Sequence, residues 1–531
     1  MNLAECFLAR LERDPSRHAF AGIDADSVAD PASPRYVWQR SRADLLGAAS
    51  AWAWRFEQTG LRASDRVALS PTRGPELAAL HLAALASGLS VVPLNPSLAP
   101  AEVARLLPTV GAALVVSSAA VAAANQRTAN ALGLPWWVED AAVDALPAPF
   151  EAPPTPPDSA SRAASPGVVD RDDEDEAVLL LTSGTTGDAK SVPLSHGNLH
   201  ANLSALAELW RRDEGDRLLH VLPANHFHGL VLGIYGSLLA GNATVMLDRF
   251  DARACLDAIQ ALDINLLMAV PTMYSRMLGS ANERDSLAGL RLALSGSAPL
   301  AAELWHGFRR RFGLELVERY GLTETGIAAS NPPGKAKPGS VGRAIAGTTI
   351  AICTGAQTGE PDCYLLPQPG RESPRGEVCV SGPSIMDGYS GDADSTAAAM
   401  RDGWFHTGDL GHFDGEGYLY IDGRSKELII VGGSNVMPGE VAKVLAVVEG
   451  VAELAVAGVA DPDLGEIVAA YVVPRADPDG GENSVKELER RLRDRAERTL
   501  ARYKRPRRYF FLDELPRNDM GKIDRARLPS D

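Results

Sequence analysis

Short apolar runs alternate with longer stretches of helical period through the first part of the chain. Val67–Leu69 and Leu89–Val92 read as buried strands, with Pro75–Ala86 as the helix between them. Strand, crossover helix, strand is the rhythm of a parallel sheet. This pattern fills residues 1–146 and resumes over 177–345, where the apolar strand Val178–Leu181 precedes a helix-like stretch, Leu199–Trp210. Residues 346–425 are richer in glycine and β-formers, with turns expected at Asp414-Gly415 and Asp422-Gly423. A second, smaller unit begins at Glu427: a strand at Leu428–Val431, a helix at Gly439–Val448, strands at Ala455–Val459 and Ile467–Val473, and a final helix. Ser484 and Glu487 have the spacing of a capping box for that helix, and Val485, Leu488, Leu492, Ala496 and Leu500 fall on one of its faces. The expected fold class is α/β: a large N-terminal domain (1–425) of βαβ-type sheets with a β-rich subdomain, then a small α+β C-terminal domain (427–531).

Composition sharpens this picture at a few points. A chain of 531 residues is too long for one ordinary core. Its formal net charge of −16 opposes non-specific binding to nucleic acid or anionic membranes, so a polyanionic substrate has to be met by local basic groups. Pro147–Pro166 reads as an exposed, extended loop, and the acidic run Asp170–Glu176 that ends this insertion (147–176) reads as a solvated collar. Five scattered cysteines without a C-x-x-C pair point to buried thiols in a reducing compartment. Charged residues interrupt any N-terminal signal-peptide core, and the closest approach to a membrane span, Leu77–Leu94, reads as a buried helix followed by a strand. A cytoplasmic protein with no membrane span is expected.

The candidate chemistry begins at Leu179–Lys190, L-L-L-T-S-G-T-T-G-D-A-K. A buried strand runs into a loop whose glycines, Gly184 and Gly187, let backbone N–H groups turn toward an anion. Thr182, Ser183, Thr185 and Thr186 add hydroxyl donors, and Lys190 adds charge. The spacing excludes the common P-loop, in which the lysine directly follows the second glycine.

The loop resembles the signature of the acyl-adenylate-forming enzymes, which include acyl-CoA synthetases, adenylation domains and luciferases; Ala189 stands where the family has proline. Further segments follow in the family's order. Arg319-Tyr-Gly-Leu-Thr-Glu-Thr-Gly326 resembles the second signature, which implies Tyr320 and Gly321 at the adenine, Thr323 at a phosphate and Glu324 as ligand of Mg²⁺ on the triphosphate. Ser295, Gly296, Ser297 and Ala298 match the loop that passes the adenine and the acyl pocket. Asp409 and Arg424 match the ribose-binding pair, and Lys426 the hinge about which a mobile C-terminal domain turns. Gly432 and Gly433 match the pantetheine channel; Ala442 replaces a glutamate frequent in the family. Lys522, in Pro516–Ile523, matches the catalytic lysine that offsets charge as a carboxylate attacks the α-phosphate.

The resemblance implies ATP, Mg²⁺ and a thiol acceptor, either CoA or the phosphopantetheine of an acyl carrier protein. For a carrier, the basic run Arg502, Lys504, Arg505, Arg507 and Arg508 is a candidate docking face, with a solvated face as the alternative. His226-Phe-His-Gly229 is similar to the H-x-H-G of acyl-CoA synthetases, which places His226 on the carboxylate and thiol path. Within that branch the stretches Val270–Arg276, Leu294–Leu300, Glu318–Thr325, Ser330–Pro332 and Pro338–Gly342 look most like those of malonyl- and methylmalonyl-CoA synthetases, and oxalyl-CoA synthetases share part of them. A short dicarboxylate needs a cation at the pocket floor, for which Arg276 and Arg291 are the candidates, beside Val270 and Thr325. Medium-chain fatty and aryl acids remain open as substrates.

Overall fold

The computed structural model describes residues 2–26, 36–139, 150–151, 154–156, 165–182, 190–355, 363–431, 434–475, 482–517 and 523–530. Two sheets with parallel interiors form the larger part. One has nine strands, in the order Arg343–Ala344, Gly326–Ser330, Leu316–Leu322, Leu292–Ser295, Leu266–Ala269, Arg217–His220, Ala243–Leu247, His18–Ile23 and Tyr36–Ser41. The other has seven, with Arg66–Ser70 and Ser90–Pro93 at its centre and the antiparallel pair Glu176–Thr182 and Lys190–Ser195 at one edge. The helix Leu77–Ala86 is buried along its whole length between them, because it carries no polar face. Its His81 meets the Tyr235 hydroxyl at 2.9 Å, and burial pushes that imidazole down to about 3. No helix among the described residues is long and apolar enough to cross a membrane.

A six-stranded antiparallel sheet spans Thr349–Arg424. After a short 3₁₀ turn at Ser425–Glu427, a five-stranded sheet with the helices Pro438–Leu445 and Glu482–Thr499 builds a core of its own from Ile429, Val441, Leu445, Val456, Val468, Leu488, Leu492 and Ala496.

Several sequence expectations need correction. Asp422-Gly423 is no turn: Gly423 is extended (φ +158°) and pairs with Leu410 inside the strand Leu419–Arg424. The final helix starts at Glu482, so Ser484 lies within it rather than at its cap. Cys363 is exposed and Cys6 half-buried, while Cys255, Cys353 and Cys379 are buried. Most of Pro147–Pro166 lies outside the described residues, but Phe150–Glu151 is a strand that extends the seven-stranded sheet beside Trp136–Val138. The acidic collar ends in a working ion pair, since Glu176 takes Arg66 in two hydrogen bonds of 2.7 and 2.6 Å.

Candidate active site

The parallel strands of the nine-stranded sheet deliver their C-terminal ends to one region, the usual place for a ligand in an open α/β sheet. Leu292–Ser295 ends in the small-residue loop Ser295–Ala298, and Leu316–Leu322 carries Arg319 and Tyr320 before a tight hairpin into Gly326–Ser330. The hairpin needs glycine at 321, because a β-carbon there would stand 2.0 Å from the Gly326 carbonyl. Thr325 closes this turn: its hydroxyl accepts from Leu322 N–H (3.0 Å) and donates to the Gly326 carbonyl (2.9 Å). Fully buried and engaged in this way, the Thr325 hydroxyl is committed to the turn.

Three of the expected nucleotide-site residues meet directly. The Tyr320 hydroxyl donates to Asp409 Oδ2 at 2.7 Å, and Arg424 Nε lies 3.0 Å from Asp409 Oδ1. Burial, then the Asp409 carboxylate, pushes the Tyr320 phenol well up, so it stays a neutral donor. A second chain links the phosphate-loop strand to the second signature. Lys190 Nζ stands 4.4 Å from the centre of the Tyr389 ring, and the Tyr389 hydroxyl donates to Glu324 Oε1 at 3.0 Å. Glu324 and Thr323 are half-buried, so the Glu324 carboxylate, held by Tyr389, keeps part of its surface open to solvent. A hard oxygen donor in that position fits Mg²⁺ on a polyphosphate. Ser183, Gly184, Thr185, Thr186, Gly187, Gly432, Gly433 and Lys522 lie outside the described residues, and Lys426 is exposed in the 3₁₀ turn.

On the other face of the Tyr320 strand, Arg319 is buried, with Nε and Nη2 lacking any acceptor among the described residues. Its guanidinium lies against Gly296, where a β-carbon would approach Cζ to 2.6 Å. Ser297 follows with φ +69°, a conformation that costs a non-glycine residue of order 1 kcal/mol and that collects at functional sites. Its hydroxyl lies 3.3 Å from His228 Nδ1. Burial, then the Arg319 charge, holds His228 well below the ordinary histidine range and hence neutral. His228 opens a π-helix, His228–Tyr235, that requires Gly229, since a β-carbon there would stand 2.0 Å from the Pro223 carbonyl. His226, half-buried, lies just before it with Nε2 3.3 Å from Asn225 Nδ2, and half-buried Val270 precedes the helix Pro271–Ser280.

Neither expected pocket cation is in place. Arg291 sits at the opposite, N-terminal end of its strand, where it pairs with Asp216 (Nε to Oδ1, 2.7 Å) and donates to the Trp210 and Arg211 carbonyls. Arg276 is exposed on its helix, away from the buried Tyr274 and Met277. The sequence signal for Arg319 was available in the second signature, but nothing in the string says which face of the strand it takes. The basic run is also partly spent: Lys504 binds both oxygens of Glu440 at 2.7 Å, and Arg505 donates to the Leu500 and Glu497 carbonyls.

Glu318, one residue earlier, holds the end of the Ser295–Ala298 loop by accepting Leu300 N–H at 2.9 Å, and burial raises its carboxyl to about 8. The folded state therefore keeps a proton that the unfolded chain loses near 4.5. The resulting stabilisation is complete below the unfolded value and is lost as pH rises toward 8. Glu318→Gln keeps the acceptor without the charge, so its Tm relative to the parent should rise between about pH 5 and about pH 8. Parallel pH responses of the two proteins would reject the buried-acid assignment.

Comparison with known proteins agrees with this geometry. The family model of the AMP-binding enzymes matches residues 23–390, and that of the AMP-binding enzyme C-terminal domain matches 440–522. The chain belongs to the AMP-binding enzyme family. Within it, the chain is similar to a sulfoacetate–CoA ligase of Cupriavidus necator (35% identity, 89% of each chain) and an indoleacetate–CoA ligase of Aromatoleum aromaticum (36%, 91% of each). Among solved structures it is similar to ATP-bound MatB from Rhodopseudomonas palustris, with a TM-score of 0.83 at 31% identity over 99% of this chain and 98% of that one. This AMP-binding enzyme is an acid–thiol ligase of the acyl-CoA synthetase branch, using ATP and CoA.

Proposed function

We propose that the enzyme activates a short carboxylic acid carrying a second anionic group, a dicarboxylate such as malonate or a sulfonated acid, and transfers it to CoA. The observation that carries this reading is Arg319, a buried guanidinium whose Nε and Nη2 have no acceptor among the described residues, lying against Gly296 and near His228. A buried cation is tolerated when a ligand supplies the counter-charge. The similarity to a sulfoacetate–CoA ligase supports the same class of acid.

The reaction runs in two halves. In the first, the carboxylate attacks the α-phosphate of ATP and pyrophosphate leaves. Tyr320, Asp409 and Arg424 hold the nucleoside, the loop Thr182–Lys190 holds the phosphates, and Lys522 offsets the charge that builds on the α-phosphate. Glu324 would hold Mg²⁺, which would offset charge on the pyrophosphate leaving group. In the second half the C-terminal domain turns about Lys426, withdraws Lys522 and brings Gly432-Gly433 to the pantetheine arm, whose thiol displaces AMP.

The test is carboxylate-dependent pyrophosphate release, with and without CoA, across malonate, methylmalonate, oxalate, sulfoacetate, fatty acids and aryl acids. A dianionic acid should give the highest kcat/KM, with turnover stimulated by CoA. Preference for a fatty or aryl acid rejects the dianion reading. Turnover that ignores CoA moves the acceptor to a carrier protein.

A further inference from the structure

Cys353, Cys379 and His406 come from three different strands, yet the register brings them to one face of the six-stranded sheet. Cys379 stands opposite His406, and Cys353 stands opposite both Glu377 and Tyr364. All three are buried, and one ligand atom from each lies within 4.8 Å of the others. Cys379 Sγ is 3.4 Å from His406 Nδ1. A tetrahedral zinc ion, with bonds of about 2.0–2.3 Å, has edges of about 3.5–3.8 Å between such ligands.

The surroundings suit a cation. Glu377 Oε2 lies 2.9 Å from the same Nδ1 and brings a negative charge next to the three ligands. Tyr364, stacked on Trp404, places its hydroxyl 3.1 Å from the other ring nitrogen, Nε2, which turns Nδ1 toward the thiols. Outer partners of this kind orient histidine ligands in metal centres. A positive charge is drawn to this place already: Arg401 Nη2 is 2.6 Å from Nδ1 and 3.7 Å from Glu377, on a side chain exposed enough to swing out to water.

We propose that Cys353, Cys379 and His406 form a zinc site, with the Glu377 carboxylate as a neighbouring counter-charge, separate from the magnesium position proposed at Glu324, and that Arg401 leaves when the metal enters. Two thiolates select a soft ion over magnesium or calcium. The site would bind the strands Thr349–Cys353, Gly376–Ser381 and Trp404–Phe413 together. The last of these carries Asp409, and Glu377 Oε1 already holds Gly408 N–H at 3.0 Å, so the metal would brace the nucleotide site without touching the nucleotide.

The experiment titrates Co²⁺ into the chelator-treated, reduced full-length protein and then displaces it with Zn²⁺. One equivalent of Co²⁺ should produce a sulfur-to-cobalt charge-transfer band in the near ultraviolet, and Zn²⁺ should bleach it. Cys353→Ser and Cys379→Ser should each weaken binding by roughly 10²-fold or more, while Cys363→Ser leaves it unchanged. The readout needs no catalytic activity and stands apart from the choice of acyl substrate. Absence of the band, a zinc affinity weaker than about 1 µM, or a band indifferent to both cysteine variants overturns the site.

Discussion

Lys522→Ala is expected to lower acyl-adenylate formation by roughly 10²-fold or more, the scale of losing one charge-stabilising donor. Thioester formation from pre-made acyl-adenylate and CoA should stay near the parent rate. The asymmetry follows from where charge develops. In the first half-reaction an anion approaches a phosphorus already ringed by negative oxygens, in a protein of net charge −16, so a local cation is worth most there. In the second, a thiol attacks a neutral acyl carbon and AMP leaves, and a lysine beside the α-phosphate has no comparable charge to offset. Measuring pyrophosphate release and acyl-adenylate consumption separately distinguishes the cases. Equal loss in both halves would sink the proposed domain alternation.

Patterns confined to one element were legible in the sequence. Of the predicted apolar face, Leu488, Leu492, Ala496 and Leu500 are buried and Val485 is half-buried, and the Leu77–Leu94 run is a buried crossover helix and strand. Local capping and turn signals were less reliable, since tertiary pairing competes with them. Gly423 is drawn into a strand by its partner Leu410, and the final helix extends past Ser484 to Glu482.

The strings expected to bind the nucleotide stood out because each is contiguous, and the fold brings Tyr320, Asp409 and Arg424 into hydrogen-bonding distance. The acyl pocket could not be read in the same way. An arginine is a pocket cation or a structural clamp according to which end and face of its strand it occupies. Arg291 faces Asp216 at the far end of the sheet, while Arg319 is buried beside Gly296. The Cys353, Cys379 and His406 cluster had no signal at all, because sheet register and not sequence spacing unites it.

Arg319→Met should reduce kcat/KM for the preferred dianionic acid by roughly 10²- to 10³-fold, since the second anionic group would then be buried without a counter-charge. A monocarboxylate of the same length should lose far less, or gain. Tm should hold or rise, because a desolvated cation is exchanged for an apolar chain of similar reach. That pairing of lost activity with kept stability separates a ligand-binding arginine from a structural one such as Arg291, whose removal strands Asp216 and should lower Tm. The pH dependence supplies an independent check. Burial disfavours the Arg319 charge, but a guanidinium keeps its proton across the working pH range. The ratio of kcat/KM for the dianion to that for the monocarboxylate should therefore stay level on the alkaline side in the parent and collapse in Arg319→Met. A dianion preference that survives in Arg319→Met would remove Arg319 from the pocket.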